Sequence, residues 1–207
     1  MKKIMLKNPI EFFGNWAEIG KDEGMEKGHN NSVQFMIDII KRQKKEKFTF
    51  LDVGCGNGWV VRKMNYLELC SYAAGVDGAK QMIDKAKLLD GKSDYFCSDL
   101  LKWSPNKCYD VIHSMEVFYY FSNPKRIIQK IHQNWLKNSG IMIFGIDYYK
   151  ENKASRNWPQ ECGVFMKNLS INEWQNILLD VGFKKIQFWQ VGEKKNWPGT
   201  LVFYAKK

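Results

Sequence analysis

Apolar positions along the chain follow two alternating rhythms. Val33, Met36, Ile37 and Ile40 recur at i, i+3, i+4 and i+7, which predicts one buried face of a helix. Phe48 to Val53 is a short apolar run closed by glycines, the signature of a buried strand. Helical spacing resumes from Trp59 to Leu67, a strand is predicted over Tyr72 to Asp77, and Ala79, Met82, Ile83 and Ala86 form another helical stripe. Asp94 to Cys97 and Tyr109 to Ser114 read as strands. Asn123–Pro124 opens a helix carrying Ile127, Ile128, Ile131 and Trp135, which Gly140 is expected to stop before a strand over Ile141 to Ile146. Ser170, with Glu173 three residues on, predicts a capping box for a helix that ends at Gly182. Lys184 to Val191 and Thr200 to Ala205 follow as strands, joined by VGEKKNWPG and therefore expected to be antiparallel. Five strands alternating with helices predict an α/β, doubly wound, mostly parallel sheet with right-handed crossovers.

At 207 residues, with no internal repeat or low-complexity tract, the chain is expected to form one domain. No apolar stretch approaches the ~20 residues of a membrane span. Lys7 and Pro9 interrupt the basic opening before an apolar signal region forms, so a cytoplasmic protein without a membrane partner is expected. The net charge of +10 raises the question of a nucleic-acid partner. Its one dense run (Lys41, Arg42, Lys44, Lys45, Lys47) falls at a helix end, where cations complement the dipole and stay in water. The other lysines are scattered and there is no arginine-rich stripe, which favours a solvated basic surface. Five cysteines without a Cys-x-x-Cys spacing predict neither a disulfide framework nor a zinc site, and no metal is expected.

In such a sheet, ligands sit beyond the carboxyl ends of the strands. The first strand runs into Asp52-Val-Gly54-Cys-Gly56-Asn-Gly58, where glycines permit a sharp turn and close backbone approach. The second ends in Asp77–Gly78, a carboxylate placed for a ribose diol beside space for the sugar. The third ends in Asp99–Leu100, which could meet an adenine edge, and the fourth in Ser114-Met115-Glu116. A dinucleotide fingerprint would need glycine where Trp59 stands, and the Gly-Lys-Ser/Thr of a P-loop is absent. Asp52 before the glycines is unfavourable for a pyrophosphate but suits a cationic amine. An adenosine joined to an amino-acid ammonium describes S-adenosyl-L-methionine.

LDVGCGNGWV, GVDGAKQMIDKA, SDL and YDVIHSMEVFYYFSNP resemble, in order and spacing, the successive motifs of class I S-adenosylmethionine-dependent methyltransferases. The likeness runs from about Phe48 to Ile146. It implies a Rossmann-like seven-stranded sheet whose C-terminal strand is antiparallel. It also implies that Gly54 and Gly56 line the methionine part, Asp52 lies near the ammonium and Asp77 with Gly78 takes the ribose. Met82, Asp99 and Leu100 would surround the adenine, and Ser114 and Met115 would lie near the methionine end. S-adenosyl-L-homocysteine would be the product. Where some relatives carry Glu-His after the fourth strand, this chain has Tyr119–Tyr120, so a catalytic histidine cannot be carried over.

Candidates for acting on the acceptor are His29, Glu116, Tyr119 and Tyr120, with a capping or solvent-facing role as the simpler reading of His29 and plain packing as that of one or two of the others. Residues 1–30, with Phe12, Phe13 and Trp16, and the insertion 148–169 are expected to cap the site. The base-orienting Pro-Pro motif and the Pro-Cys nucleophile of nucleic-acid enzymes are missing. A small-molecule acceptor is therefore expected. An RNA methyltransferase and a non-catalytic S-adenosylmethionine-binding protein are the alternatives.

Overall fold

The computed structural model describes residues 6–207; the first five residues of the expected capping segment lie outside it. Strand β1 (Phe48–Val53) lies centrally because both its faces are apolar. Phe48 and Phe50 pack on one side, Leu51 and Val53 on the other. Around it run β2 (Cys70–Asp77), β3 (Asp94–Cys97), β4 (Tyr109–Met115), β5 (Leu136–Ile146), β6 (Lys184–Val191) and β7 (Thr200–Lys206). They form one seven-stranded sheet in the order β3-β2-β1-β4-β5-β7-β6. All pairings are parallel except β5–β7 and β6–β7, as the connector before the last strand predicts. The order reverses beside β1, so the carboxyl ends of β1 and β4 open a crevice there.

Helix α1 (Pro9–Glu18) and helix α2 (Asp22–Gln43) precede the sheet. Next in the chain come α3 (Trp59–Asn65), α4 (Lys80–Leu89), α5 (Pro124–Lys130), α6 (Trp158–Cys162) and α7 (Ile171–Val181). Val33, Ile37 and Ile40 of α2 pack on Phe50, Val111 and Ile143. Trp135, Trp174 and Leu178 cover Leu51, Ile112 and Phe144 on the opposite face.

Two helical stretches lie beyond the predicted stripes, and one helix end is corrected. The polar segment around His29 belongs to α2, which starts at Asp22; Gly24 and Gly28 hide the helical pattern without breaking it. Residues 9–18 form α1, capped by the Asn8 side chain with Pro9 at its start, although its aromatic face covers a sheet end instead of the main core. The helix after Pro124 ends at Trp135 in a widened turn, not at Gly140, because Leu136 already pairs with Tyr109 as the start of β5.

The capping box of α7 is present in both directions, between Ser170 and Glu173. Replacing Ser170 by alanine should cost about 1 kcal/mol. Thermal melting should fall by roughly 2–4 °C for a chain of this size, and an unchanged melt would show the cap to be redundant. Among the described residues no helix is long and apolar enough to cross a membrane.

Candidate active site

The glycine turn after β1 is held open by its conformation. Gly54, Gly56 and Gly58 have φ of 75°, 53° and 78°, the left-handed region in which a Cβ is unfavourable. The Gly54 amide donates to the Val76 carbonyl at 2.7 Å. Asp77, at the end of β2, accepts from the Gly56 amide at 3.0 Å and from the Ala79 amide at 2.8 Å. One carboxylate thus fixes both the turn and the entry to α4. Burial raises the Asp77 pKa, and the backbone amides of Ala79 and Gly56 oppose the rise. Asp52 is buried against His113 of β4, Oδ1 to Nδ1 at 2.7 Å. Asn57 donates to Asp22 at 2.8 Å, and Lys85 pairs with the same carboxylate at 2.8 Å, so the start of α2 is tied to the turn.

Above these strand ends lies a cavity of about 330 Å³. Its wall brings together Asp52, Gly54, Gly56, Asp77, Gly78, Met82, Asp99, Leu100 and Met115 from the expected cofactor set. Ser114 is placed otherwise: it is buried, and its hydroxyl donates to the Val53 carbonyl at 2.8 Å. Ile10 and Phe13 of α1 and Met25 and His29 of α2 close the cavity from the N-terminal side. Residues 148–169 contribute no wall residue. They brace the N-terminal segment instead, the Gly163 carbonyl accepting from the Lys7 amide at 2.7 Å. Among the described residues no lysine or arginine lines the cavity, despite the chain's excess of positive charge.

At one end of the cavity α2, β4 and β5 bring three ionisable groups together. His29 Nε2 lies 3.3 Å from Asp147 Oδ2, and its Nδ1 contacts the Met25 carbonyl at 2.9 Å. Glu116 Oε2 accepts from the Tyr119 hydroxyl at 2.7 Å, while Oε1 accepts from the Asp147 amide. Tyr119 is fully buried behind Glu116 and is not part of the cavity wall; Tyr120 is, and its hydroxyl lies 3.2 Å from that of Tyr119. Glu116 has a φ of 60°, a left-handed conformation that a β-carbon makes costly, and it aims the carboxylate at this point. Burial, then the charge of Asp147, lift the Glu116 pKa to about 8, with His29 opposing. Burial works against a charged His29, but the bond to Asp147 and the field of Glu116 prevail and raise it to about 9. His29 therefore holds its proton at neutral pH, and Glu116 is the group poised to exchange one.

Both shifts have the same consequence for stability. Each folded pKa lies above its ordinary value, so each contribution is complete below that value and is lost as pH rises through the folded one. The Glu116 contribution is lost between pH 4.5 and about 8 and that of His29 between pH 6.5 and about 9. Melting temperature should therefore fall from pH 4.5 to pH 9, and Glu116→Gln should flatten the lower part of the fall. A flat wild-type profile would show that the cluster does not carry these protons.

Sequence reading missed Asp147 and Asp22 as site residues. Asp147 had a signal: it is a carboxylate immediately after the carboxyl end of β5, much as Asp77 ends β2. Asp22 had none, because its place depends on how α2 docks on the glycine turn.

A doubly wound sheet with an acidic, glycine-floored cavity at its switch point defines an adenosyl-ligand protein whose ligand is cationic. The family model described as a methyltransferase domain matches residues 28–187, and the chain belongs to the class I S-adenosylmethionine-dependent methyltransferases. It is 28% identical over 127 residues to a malonyl-[acyl-carrier protein] O-methyltransferase of Bacillus cereus, covering 58% of this chain and 47% of that protein. The chain spans about half the length of the curated relatives it matches. A chain of the complex between the Haloferax volcanii Trm112 methyltransferase activator and a methyltransferase superposes with a TM-score of 0.81 at 22% identity, covering 94% of this chain and 96% of that one. The plantazolicin methyltransferase BpumL, solved with a triazolic desmethylPZN analog and SAH, gives 0.72 at 16% identity, covering 95% and 93%. At these identities the two structural likenesses are likenesses of fold.

The residues fit the family's cofactor. A pyrophosphate would face Asp52 and Asp77 with no lysine or arginine among the described residues on the wall and with His29 already paired to Asp147, whereas a sulfonium and an ammonium meet complementary charge.

Proposed function

We propose that the protein transfers a methyl group from S-adenosyl-L-methionine to a small-molecule acceptor. One observation supports this most directly: the cavity is closed over by α1 and α2, and no lysine or arginine among the described residues lines it. Asp77 would hold the ribose, Met82, Asp99 and Leu100 the adenine, and Gly54, Gly56 and Asp52 the methionine end. When bound, the cofactor supplies an electrophilic methyl carbon. The chain's own work is to orient the acceptor, exclude water and accept a proton. Phe13, Tyr120 and Phe121 supply the apolar cover, and Glu116 in its ionised form supplies the proton acceptor. His29 is a positioning group, charged and held by Asp147. Tyr119 acts through Glu116 by donating to it.

The Bacillus cereus relative is named for a malonyl-[acyl-carrier protein] acceptor, so a small acyl compound is one candidate class. RNA is less compatible, since phosphates would meet carboxylates at the cavity. A tritiated-methyl assay on a metabolite extract and, separately, on total RNA decides between them. Label in the extract is expected. Label in RNA alone would establish the RNA reading, and no label despite cofactor binding would leave a non-catalytic binding protein.

A further inference from the structure

We propose that the acceptor end of the cavity is an amine subsite, which takes the amine as its ammonium ion against Glu116 beside the rings of Phe13 and Tyr120. This rests on the small-molecule methyltransferase reading and names its substrate class. The physical ground is charge balance. Glu116, Asp147 and His29 each place one polar atom within 4.8 Å of the others. With both carboxylates ionised, two negative charges would face one imidazolium; the missing positive charge is what keeps a proton on Glu116 while no ligand cation is bound, and an ammonium can take that proton's place. Tyr119 and Tyr120, the other titratable groups packed there, offer only neutral hydroxyls. No lysine or arginine among the described residues lines the cavity.

A second, independent observation points the same way. Asp147 is buried, and its Oδ1 has no hydrogen-bond partner. Asp147 lies behind the cavity wall, so this oxygen without a donor acts on the site through its charge, which bears on Glu116, and not by touching a ligand. An ammonium brings one positive charge and up to three donors. Phe13 and Tyr120 stand edge to face with ring centroids 5.3 Å apart, and aromatic rings at such a mouth attract an organic cation. A carboxylate acceptor would add a third negative charge, and an alcohol would leave the deficit unfilled.

A divalent metal fits less well. Hard ions take about six or more oxygen ligands, whereas the cluster offers two carboxylates and an imidazole that already holds a proton.

The proton balance closes on the chain's own groups. The ammonium gives a proton to the Glu116 carboxylate, leaving a neutral amine and a neutral carboxyl. The freed nitrogen pair forms the new bond to carbon while the carbon–sulfur pair stays on sulfur, and the product is a methylated ammonium. Burial that lifts Glu116 to about 8 suits it to this exchange near neutrality.

The test is calorimetric titration of the full chain, saturated with S-adenosyl-L-homocysteine, with butylamine, benzylamine and phenethylamine and their matched alcohols and carboxylates. At least one amine should bind at least tenfold tighter than its alcohol, with carboxylates silent. Glu116→Gln should weaken that amine about tenfold, equivalent to about 1.4 kcal/mol, while changing the homocysteine affinity less than about twofold. If that variant fails to fold, Phe13→Ala should show the same selective loss. Carboxylates or alcohols binding as well as amines, no amine binding, or magnesium or manganese displacing the amine would overturn the subsite. Failure to bind S-adenosyl-L-homocysteine at all would strike the methyltransferase reading itself.

Discussion

Asp77→Ala is expected to weaken binding of S-adenosyl-L-homocysteine by more than about 100-fold. Two hydrogen bonds from a ribose diol to a charged acceptor are worth about 1.5–3 kcal/mol each. The substitution also orphans the Gly56 and Ala79 amides, which Asp77 accepts at 3.0 and 2.8 Å, so the turn that lines the cavity loses its clamp. Asp77→Asn retains one acceptor and should fall between the wild type and alanine. Asp99→Ala should cost about tenfold at most. That carboxylate is partly exposed and caps the Leu101 amide at 2.9 Å, so water can replace much of what it offers. Calorimetry separates the cases, with circular dichroism confirming the fold. Equal, small losses for Asp77→Ala and Asp99→Ala would remove the ribose assignment.

Gly54→Ala is expected to abolish measurable cofactor binding while leaving a folded chain. At a φ of 75°, an alanine costs about 1–2 kcal/mol in backbone strain alone. Its Cβ would also overlap Cγ2 of Val117, which directly follows the strained Glu116. Relief requires Val117 to shift, carrying Glu116 and the cavity wall with it. The melting temperature should fall by a few degrees, because the strain is local and the core on either side of the sheet is untouched. Gly91→Ala is the control: it has no positive φ, no neighbour lies within 4 Å of the added carbon, and both binding and melting should be unchanged. Wild-type affinity in Gly54→Ala would show that the ligand does not approach this backbone.

Much of the fold was legible in the chain because its causes are local. β1, β3 and β6 have the limits that their apolar runs predict, and the capping box opens α7. Runs such as Phe48–Val53 identify strands buried on both faces, and the glycine turn announces itself because its conformation excludes a side chain. The errors fall where distant packing decides. A helix stripe that covers a sheet end, as in α1, has little core to mark it. The start of α2 is fixed by Asp22 meeting Asn57 and Lys85. Leu136 leaves its helix for a strand because Tyr109 offers it a partner.

By itself the sequence determined an α/β sheet with carboxylates and glycines at the ends of β1, β2 and β3, since strand period and strand-end position follow from neighbouring residues. Only the tertiary structure decided what the acceptor end is. His29, Glu116 and Asp147 come from three elements far apart in the chain and become one cluster when α2 docks over β4 and β5. Their proton affinities follow from burial and mutual fields, which sum over contacts that no stretch of sequence contains.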